Sequence, residues 1–355
     1  MLYLKPCVLL LAVAAGARSS AAPMETEADI DARLFTEFVD TFGRTYATPA
    51  ERAFRARVFA GNRRRAAEFS RNDASAQFSA ATRWADWTEA EFTQSHGYAE
   101  HALPCQFPGK GGAIPQLSPT KAPEHGGLDY VALGATVAVK NQGKCGSCWA
   151  HGTTAVLESR LKLDTGTITS LSEQYLMDCE TNRLCSGCCG GLTEDAMRWL
   201  AGDSATAYSG AGIASEAEYP YTSASGQDPT EGKCNRRAPL VAKVTGFGVL
   251  AKPVTSAAVL SGVTQYGVLS TSMDSKVLQF YSKGVITNSS ACENSNHVVA
   301  IVGYGTTDDG VDFYKVRNSY GMSFGEDGYF RISLDAADAC GMQSCVVAAT
   351  GVTKT

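Results

Sequence analysis

The chain has 355 residues, of which 44% are hydrophobic and 19% are charged, and its formal net charge is −5. These values predict a folded globular protein with room for two domains and processing segments. The acidic balance argues against a nucleic-acid partner, because such partners select basic surfaces.

Residues 1–17 predict a secretory signal peptide. Lys5 precedes a short apolar run, and small residues at 15–17 form a cleavage site. The run is too short to span a bilayer and no later segment approaches twenty apolar residues, so we expect no membrane span, with an N-terminal anchor as the alternative. Because such a chain enters an oxidising compartment, its 12 cysteines predict a disulfide framework.

Residues 30–97 predict a separate, polar unit of helices. Apolar side chains recur there at helical spacing in two runs, Phe35, Phe38, Val39 and Phe42, then Phe54, Val58, Phe59 and Ala66. An unrelated helical hairpin is the alternative interpretation. Residues 98–123 contain proline and glycine without periodicity, which predicts a linker that is cut during processing.

The remainder, residues 124–355, changes character along its length. Helical patterns dominate from Cys148 to about Tyr221, and short β-rich runs dominate from Val241 onward. These runs, which predict strands, are residues 241–249, 267–272, 297–304, 313–317 and 328–334. This order predicts an α+β protein with two lobes.

The residues around Cys148 indicate nucleophilic catalysis. Glycine and serine precede the thiol, Trp149 and a helical run follow it, and Gln142 lies shortly upstream. A helix N-terminus stabilises the thiolate, which is the reactive form of cysteine, and an amide beside it can face an oxyanion. His297 and Asn318 are the candidate base and orienting group. Taken singly, these residues have ordinary alternatives: a half-cystine, a core histidine and a turn asparagine.

The sequence that runs from Gln142 through Cys145 to Trp149 is the signature of papain and the cathepsins. The chain therefore resembles that family. The resemblance implies a papain-like two-lobe fold, with a helical left lobe and a β-barrel-like right lobe, preceded by a helical propeptide. It also implies a thiol protease in which Cys148 is the nucleophile, His297 the base, Asn318 its partner and Gln142 the oxyanion donor.

Residues 30–97 resemble the inhibitory propeptide of cathepsin L-like proteases. The helix pattern of that propeptide is matched by Glu51, Arg55, Phe59 and Asn62, whereas Ala66 and Ser70 depart from it. Further on, Asp86 and Phe92 match, and Trp84 replaces a phenylalanine. The resemblance implies a zymogen whose own propeptide is an intramolecular inhibitor that is released at acidic pH.

The resemblance also implies the disulfides Cys145–Cys188, Cys179–Cys234 and Cys292–Cys340. The pairing of Cys105, Cys185, Cys189 and Cys345 stays open, and Cys189 leaves the register with Cys188 uncertain. A Cys185–Cys189 bond is one option, and a zinc site formed by Cys185, Cys188 and Cys189 is the rival. We expect no metal and no cofactor.

Several residues match positions that bind substrate in this family. Gly190 and Gly191 resemble glycines along which an extended peptide pairs, with a simple turn as the alternative. The S2 pocket is matched by Leu192, Ser272, Val298 and a reduced Cys345, none of which is charged; a disulfide at Cys345 is the alternative.

Three departures concern the site. Tyr320 and Phe324 replace two tryptophans, and Tyr320 is expected to cover the bond between His297 and Asn318. His151 replaces a phenylalanine, and an adapted packing position is favoured over a new acid–base role.

The predicted function is a cysteine endopeptidase acting on peptide and protein substrates. The alternatives are a catalytically weak or inactive peptide-binding pseudoenzyme and, less favoured, an exopeptidase of the cathepsin B type or a protease inhibitor. We expect a monomer in the secretory pathway, in a lysosome- or vacuole-like compartment or outside the cell. Asn288 lies in the chain's N-glycosylation motif.

Overall fold

The computed structural model describes residues 25–96, 114–180, 187–202, 210–226 and 233–355. The predicted signal peptide, residues 98–113 of the predicted linker, Cys105 and Cys185 lie outside the described residues. The chain divides into two compact units, Met1–Thr45 and Tyr46–Thr355.

The first unit contains helix α1, Glu27–Phe42. Thr26 caps it, because its hydroxyl oxygen accepts the Asp29 N–H while the Asp29 carboxylate accepts the Thr26 N–H. Gly43 ends the helix at φ 58°, a left-handed conformation that favours glycine. The rings of Phe35 and Phe38 stack with centroids 6.2 Å apart, so the first predicted apolar run lies on one helix.

The second unit contains the other helices and all the strands of the described residues. The helices are α2 Pro49–Asn72, α3 Glu89–His96, α4 Cys148–Thr165, α5 Glu173–Cys179, α6 Thr193–Ala201, α7 Ser256–Tyr266 and α8 Leu334–Ala339. The strands are β1 Ala76–Phe78, β2 Gln116–Leu117, β3 Leu128–Asp129, β4 Ile213–Ala214, β5 Leu240–Leu250, β6 Leu269–Met273, β7 Tyr281–Ile286, β8 His297–Thr306, β9 Asp312–Arg317, β10 Tyr329–Ser333 and β11 Val346–Lys354.

The strands form one sheet in the order β1-β7-β10-β9-β8-β6-β11-β5-β2, with β3 on β8 and β4 on β5. Neighbours are antiparallel except for β10 with β7 and β2 with β5, which are parallel. The order places β8 and β9 side by side in the middle of the sheet. His297 therefore begins a central strand, and Asn318 follows the end of its neighbour.

Helix α4 joins the helical part to the sheet. It packs against β8 and β11 and also contacts α5 and α6. Most of its side chains are buried, including Trp149 and Leu157. Because α4 is covered on nearly all sides, its sequence lacks a polar stripe. The predicted α+β class is confirmed.

Four elements of the β-rich half were not predicted, namely the helices α7 and α8 and the strands β7 and β11. Helix α7 interrupts the strands, and Thr255 caps it by accepting the Ala258 N–H. Strand β11 was not predicted, because Val346 and the residues after it form a continuous apolar run without alternation. Its first four residues are all buried, so both faces are covered there and a period of two is lost.

Part of the predicted linker is ordered against the sheet. Gln116 and Leu117 form β2, which pairs in parallel with the end of β5. Beyond it, the backbone N–H groups of Thr120 and Lys121 donate to the Gln265 side chain. None of the helices in the described part of the chain is long and apolar enough to cross a bilayer.

The matched propeptide residues hold α2 to the segment that follows it. The Arg55 guanidinium binds the Glu91 carboxylate through bonds of 2.7 and 2.8 Å. Asn62 Nδ2 donates to the carbonyls of Ala85 and Trp87 at 2.9 and 2.7 Å. These bonds explain the spacing of the motif, because residues seven apart on a helix lie on one face.

Candidate active site

Cys148 is the first residue of α4, and its side chain is completely buried. Burial raises the pKa of the Cys148 thiol to about 12, while hydrogen bonds from the backbone N–H groups of Val298, Trp149 and Cys148 act in the opposite direction. Cys148 is therefore held as a thiol in this form of the protein. Val298 is the neighbour of His297, which places the sulfur beside the start of β8.

His297 and Asn318 form a hydrogen-bonded pair. The ring nitrogen Nε2 of His297 lies 2.8 Å from Asn318 Oδ1, which also accepts the Ser319 N–H at 2.8 Å. An amide oxygen only accepts, so Nε2 carries the hydrogen and Nδ1 is the acceptor nitrogen of the neutral ring. The pair thus fixes both the tautomer and the orientation of the imidazole.

Tyr320 covers the imidazole of His297. The two rings are 4.9 Å apart with 29° between their planes. Two propeptide side chains then pack edge-on against Tyr320, Trp84 at 5.1 Å and Phe92 at 5.9 Å. The aromatic cluster excludes water from the His297–Asn318 pair, and Trp84 and Phe92 add the propeptide to that cover.

Gln142 is fully buried next to the nucleophile's loop. Its Nε2 donates to the Cys145 carbonyl at 2.8 Å, and its Oε1 accepts the Ser319 hydroxyl. The Cys145–Cys188 disulfide holds the same loop, where Gly146 N–H donates to the Cys188 carbonyl. The Gln142 amide is consequently fixed from both ends.

The two glycines predicted to line the cleft each have a structural reason to be glycine, and Gly191 lies beside Trp149. Gly190 has φ 118°, which disfavours other residues. A Cβ on Gly191 would lie 2.6 Å from the Trp149 ring. Only glycine therefore fits at this wall without displacing the indole.

The four residues predicted for the S2 pocket lie together. Leu192, Ser272, Val298 and Cys345 all line one cavity of about 10 Å³. Ser272 and Val298 face each other in neighbouring strands. Glu194 also lines this cavity, and it was missed because its position after Leu192 carries no distinctive signal in the sequence.

The prediction of a reduced Cys345 in this pocket is wrong, because Cys345 is disulfide-bonded. The alternative weighed for this residue is therefore the one present, and a cystine forms that part of the pocket. Cys189 is disulfide-bonded as well.

The three disulfides implied by the resemblance are present, namely Cys145–Cys188, Cys179–Cys234 and Cys292–Cys340. The register is settled, because Cys188 and not Cys189 bonds to Cys145. With Cys188 and Cys189 both in disulfides, these thiols are not available to the rival zinc site.

A buried ion network beneath the site was also missed. Lys140 Nζ contacts the carboxylates of Glu158 and Glu173 at 2.8 Å each. Burial alone would lower the pKa of Lys140, but the two carboxylates raise it overall. Arg317, which precedes Asn318, reaches Glu158 at 3.3 Å. The network ties the loop of Gln142 to α4, α5 and the end of β9.

Asn288 is half-buried rather than fully exposed, and it lies where the propeptide docks. Its Nδ2 donates to the Asn72 carbonyl at 3.0 Å. Its backbone N–H donates to the Asp73 carboxylate at 2.9 Å.

Known proteins share this arrangement. Residues 127–350 match the papain family cysteine protease domain, and residues 35–92 match the cathepsin propeptide inhibitor domain. A protein named "Probable cysteine protease RD19B" from Arabidopsis thaliana is 33% identical over 332 residues, which cover 89% of this chain and 86% of that protein. A cathepsin L-like proteinase from Phaedon cochleariae is 30% identical over 319 residues, covering 88% and 92%.

A solved structure leads to the same family. The digestive procathepsin L 3 of Tenebrio molitor larval midgut superposes with a TM-score of 0.72 at 28% identity, covering 90% of this chain and 99% of that one. The chain belongs to the papain family of cysteine proteases and carries the inhibitory propeptide of cathepsin precursors, so it is a cysteine endopeptidase made as a zymogen.

Proposed function

We propose that Cys148, His297, Asn318 and Gln142 carry out the hydrolysis of peptide bonds. The observation that carries this assignment is the His297–Asn318 hydrogen bond, which is covered by Tyr320 and lies beside the buried thiol. Tyr320 retains the stacking expected of the larger tryptophan. Its substitution therefore gives no support to an inactive pseudoenzyme.

The chemistry begins with transfer of the Cys148 proton to His297 Nδ1. The thiolate attacks the substrate carbonyl carbon, and the resulting oxyanion faces the Cys148 N–H and the Gln142 amide. Gln142 Nε2 has two hydrogens, of which one binds the Cys145 carbonyl, so the second serves the oxyanion.

The tetrahedral intermediate collapses when the imidazolium gives its proton to the leaving amine. A thioester to Cys148 remains. A water molecule then loses a proton to His297 and attacks the thioester, which releases the carboxylic acid and returns the thiol. Asn318 holds the ring in one orientation through both proton transfers.

The precursor is held inactive by the propeptide side chains Trp84 and Phe92, which pack against Tyr320 over the imidazole of His297. Removing Trp84 and Phe92 from Tyr320 would return water and substrate to the cleft. Burial would then no longer raise the pKa of Cys148, and the helix N-terminus would favour the thiolate. Cleavage within residues 98–123 would release a mature enzyme that begins near Glu124.

The cellular setting follows from the predicted signal peptide. We place the enzyme in the secretory pathway, in a lysosome- or vacuole-like compartment or outside the cell, as a monomer acting on peptides and proteins. Asn288 is the expected glycosylation site.

Replacement of the nucleophile tests the assignment. Cys148→Ala should abolish peptide hydrolysis while leaving the three described disulfides intact, because Cys148 is the one free cysteine among the described residues. Hydrolysis of a fluorogenic peptide and non-reducing peptide mapping measure the two effects. Turnover at the wild-type rate would show that another group attacks the substrate.

A further inference from the structure

Next to the catalytic pair, a cavity of about 10 Å³ lies between α4, the start of β8 and the end of β9. His151, Val299, Asn318 and Ser319 are among the residues that line it. A cavity of this size holds about one water molecule, provided that polar groups point into it.

Asn318 supplies one such group. Its side chain is 2% exposed, and its Nδ2 makes no hydrogen bond to any residue that the structure describes. The Oδ1 of the same amide already binds His297 and the Ser319 N–H. A buried amide donor that is left unsatisfied costs about 1–3 kcal/mol, so a partner is expected.

His151 supplies the complementary group. Its side chain is 7% exposed, and its Nδ1 lies 3.0 Å from the Ser147 carbonyl oxygen. Because a carbonyl only accepts, Nδ1 carries the hydrogen and Nε2 of the neutral ring is an acceptor. Burial lowers the pKa of His151, which keeps the ring neutral.

We propose that a water molecule in this cavity accepts a hydrogen bond from Asn318 Nδ2 and donates one to His151 Nε2, which makes His151 a positioning residue for Asn318. The bridge holds the Asn318 amide from the side opposite His297. It also polarises the amide, so that Oδ1 becomes a stronger acceptor for the imidazolium.

Two departures from the papain-family pattern explain why this chain would need the water bridge. His151 stands where the papain-family resemblance has a phenylalanine, and Tyr320 stands where it has a larger tryptophan. A smaller cover shields the His297–Asn318 bond less, and a hydrogen bond on Asn318 Nδ2, in addition to the two on Oδ1, restores the orientation of the amide. The charged groups that act on His151 are Glu173, Lys140 and Arg317, and all three are engaged in the buried ion network.

The inference rests on the proposed function, and His151→Phe tests it in the mature enzyme. Phenylalanine fills the same space without an acceptor, so kcat should fall about 2- to 10-fold while KM stays within about twofold. The alkaline limb of the kcat/KM profile should move to lower pH by a few tenths of a unit, because the imidazolium loses support. Active-site thiol titration corrects each rate for the folded, reactive fraction.

Two further variants separate positioning from packing. His151→Gln keeps a neutral acceptor and should recover most of the rate and the wild-type pH profile. Thr153→Val removes a buried hydroxyl of α4 that bonds only to the Trp149 carbonyl, and it should leave the profile unchanged. A high-resolution crystal structure of the mature enzyme should show the water between Asn318 and His151, and should lack it in His151→Phe.

An unchanged pH profile in His151→Phe, with normal wild-type activity, would overturn the bridge while leaving the proposed function intact. Equal losses of kcat in His151→Phe and His151→Gln would likewise overturn it, because the loss would then come from altered packing and not from the missing acceptor. An inactive wild-type enzyme would instead contradict the proposed function itself.

Discussion

Ser319 holds the oxyanion amide of Gln142 from a position 177 residues away in the chain. Its hydroxyl binds Gln142 Oε1, and its carbonyl accepts the Gln142 N–H at 2.8 Å. Motif spacing predicts Gln142 and Asn318, because each lies in a recognisable local sequence. Ser319 could not be assigned this role beforehand, because only the folded chain brings it to Gln142.

The S2 pocket gives the prediction at the residue scale. The predicted pocket residues carry no charge, namely Leu192, Ser272, Val298 and the Cys345 cystine. Substrates with Leu at P2 should therefore be cleaved faster than substrates with Arg at P2. A guanidinium would lose its hydration there without gaining a partner, since Glu194 is already engaged within the fold. A fluorogenic dipeptide series varied at P2 measures this preference.

Glu194→Gln provides the control for this pocket. It removes the carboxylate and should leave the order of P2 residues unchanged. If P2 Arg is preferred and the preference disappears in Glu194→Gln, the Glu194 carboxylate selects the substrate and the uncharged pocket is wrong.

At the scale of elements, the end of α2 is anchored to the catalytic domain by Asp73. The carboxylate of this buried residue accepts the backbone N–H groups of Thr287 and Asn288 at 2.7 and 2.9 Å and the Thr287 hydroxyl at 2.8 Å. Strand β1 then pairs with β7 beside this anchor. The propeptide is thus held at two adjacent places on the sheet edge.

Asp73→Asn should loosen the propeptide. The new NH2 group would face N–H donors, and one unsatisfied buried group costs about 1–3 kcal/mol. In a Cys148→Ala precursor, which serves only as a substrate, added mature enzyme should cut the propeptide several-fold faster at neutral pH. Gel densitometry gives the rate.

Glu68→Gln is the matched control, because Glu68 lines a cavity together with Asp73 and Asn288 but is exposed. It should be cut at the unmodified rate. If Asp73→Asn is also cut at that rate, Asp73 contributes nothing to docking.

Helices and strands could be predicted from the sequence where one face of the element is polar, because apolar residues then recur at a regular spacing. Helices α1 and α2 show the 3.6-residue repeat because one face of each is polar. The first four residues of strand β11 show no repeat because they are all buried. The two residues of β2 acquire their structure from pairing with β5, so the linker composition alone could not indicate it.

At the scale of the whole molecule, release of the propeptide is expected to control the reactivity of the buried Cys148 thiol. Arg55 and Thr88 hold Glu91, and the hydrogen bond from Arg55 is the main cause that lowers the pKa of Glu91. A lowered pKa means that the pairing stabilises the propeptide above the ordinary pKa of a glutamate and is lost as pH falls through the lowered value. The propeptide should therefore loosen in acid.

The expected result is that the precursor is processed faster at a pH below the ordinary pKa of a glutamate, where the Arg55–Glu91 pair is lost, than at neutral pH. Glu91→Gln lacks the charged pair at every pH, so its processing should be faster near neutrality and less dependent on pH. The rate of conversion to the mature form, followed across pH, measures both effects. Glu37→Gln breaks the exposed Arg33–Glu37 pair and should leave the profile unchanged. Equal rates at neutral and acidic pH in the wild-type precursor would rule out this acid switch.

The assignment of Cys148 as the nucleophile of a zymogen is tested most directly by labelling with an epoxysuccinyl probe. Mature enzyme produced in acid should gain a single adduct on Cys148, located by peptide mass spectrometry, and should lose peptidase activity in proportion to labelling. Intact precursor at neutral pH should remain unlabelled, because Cys148 is buried as a thiol. Activity that survives complete labelling of Cys148, or an adduct on another residue that tracks the loss of activity, would contradict the assignment.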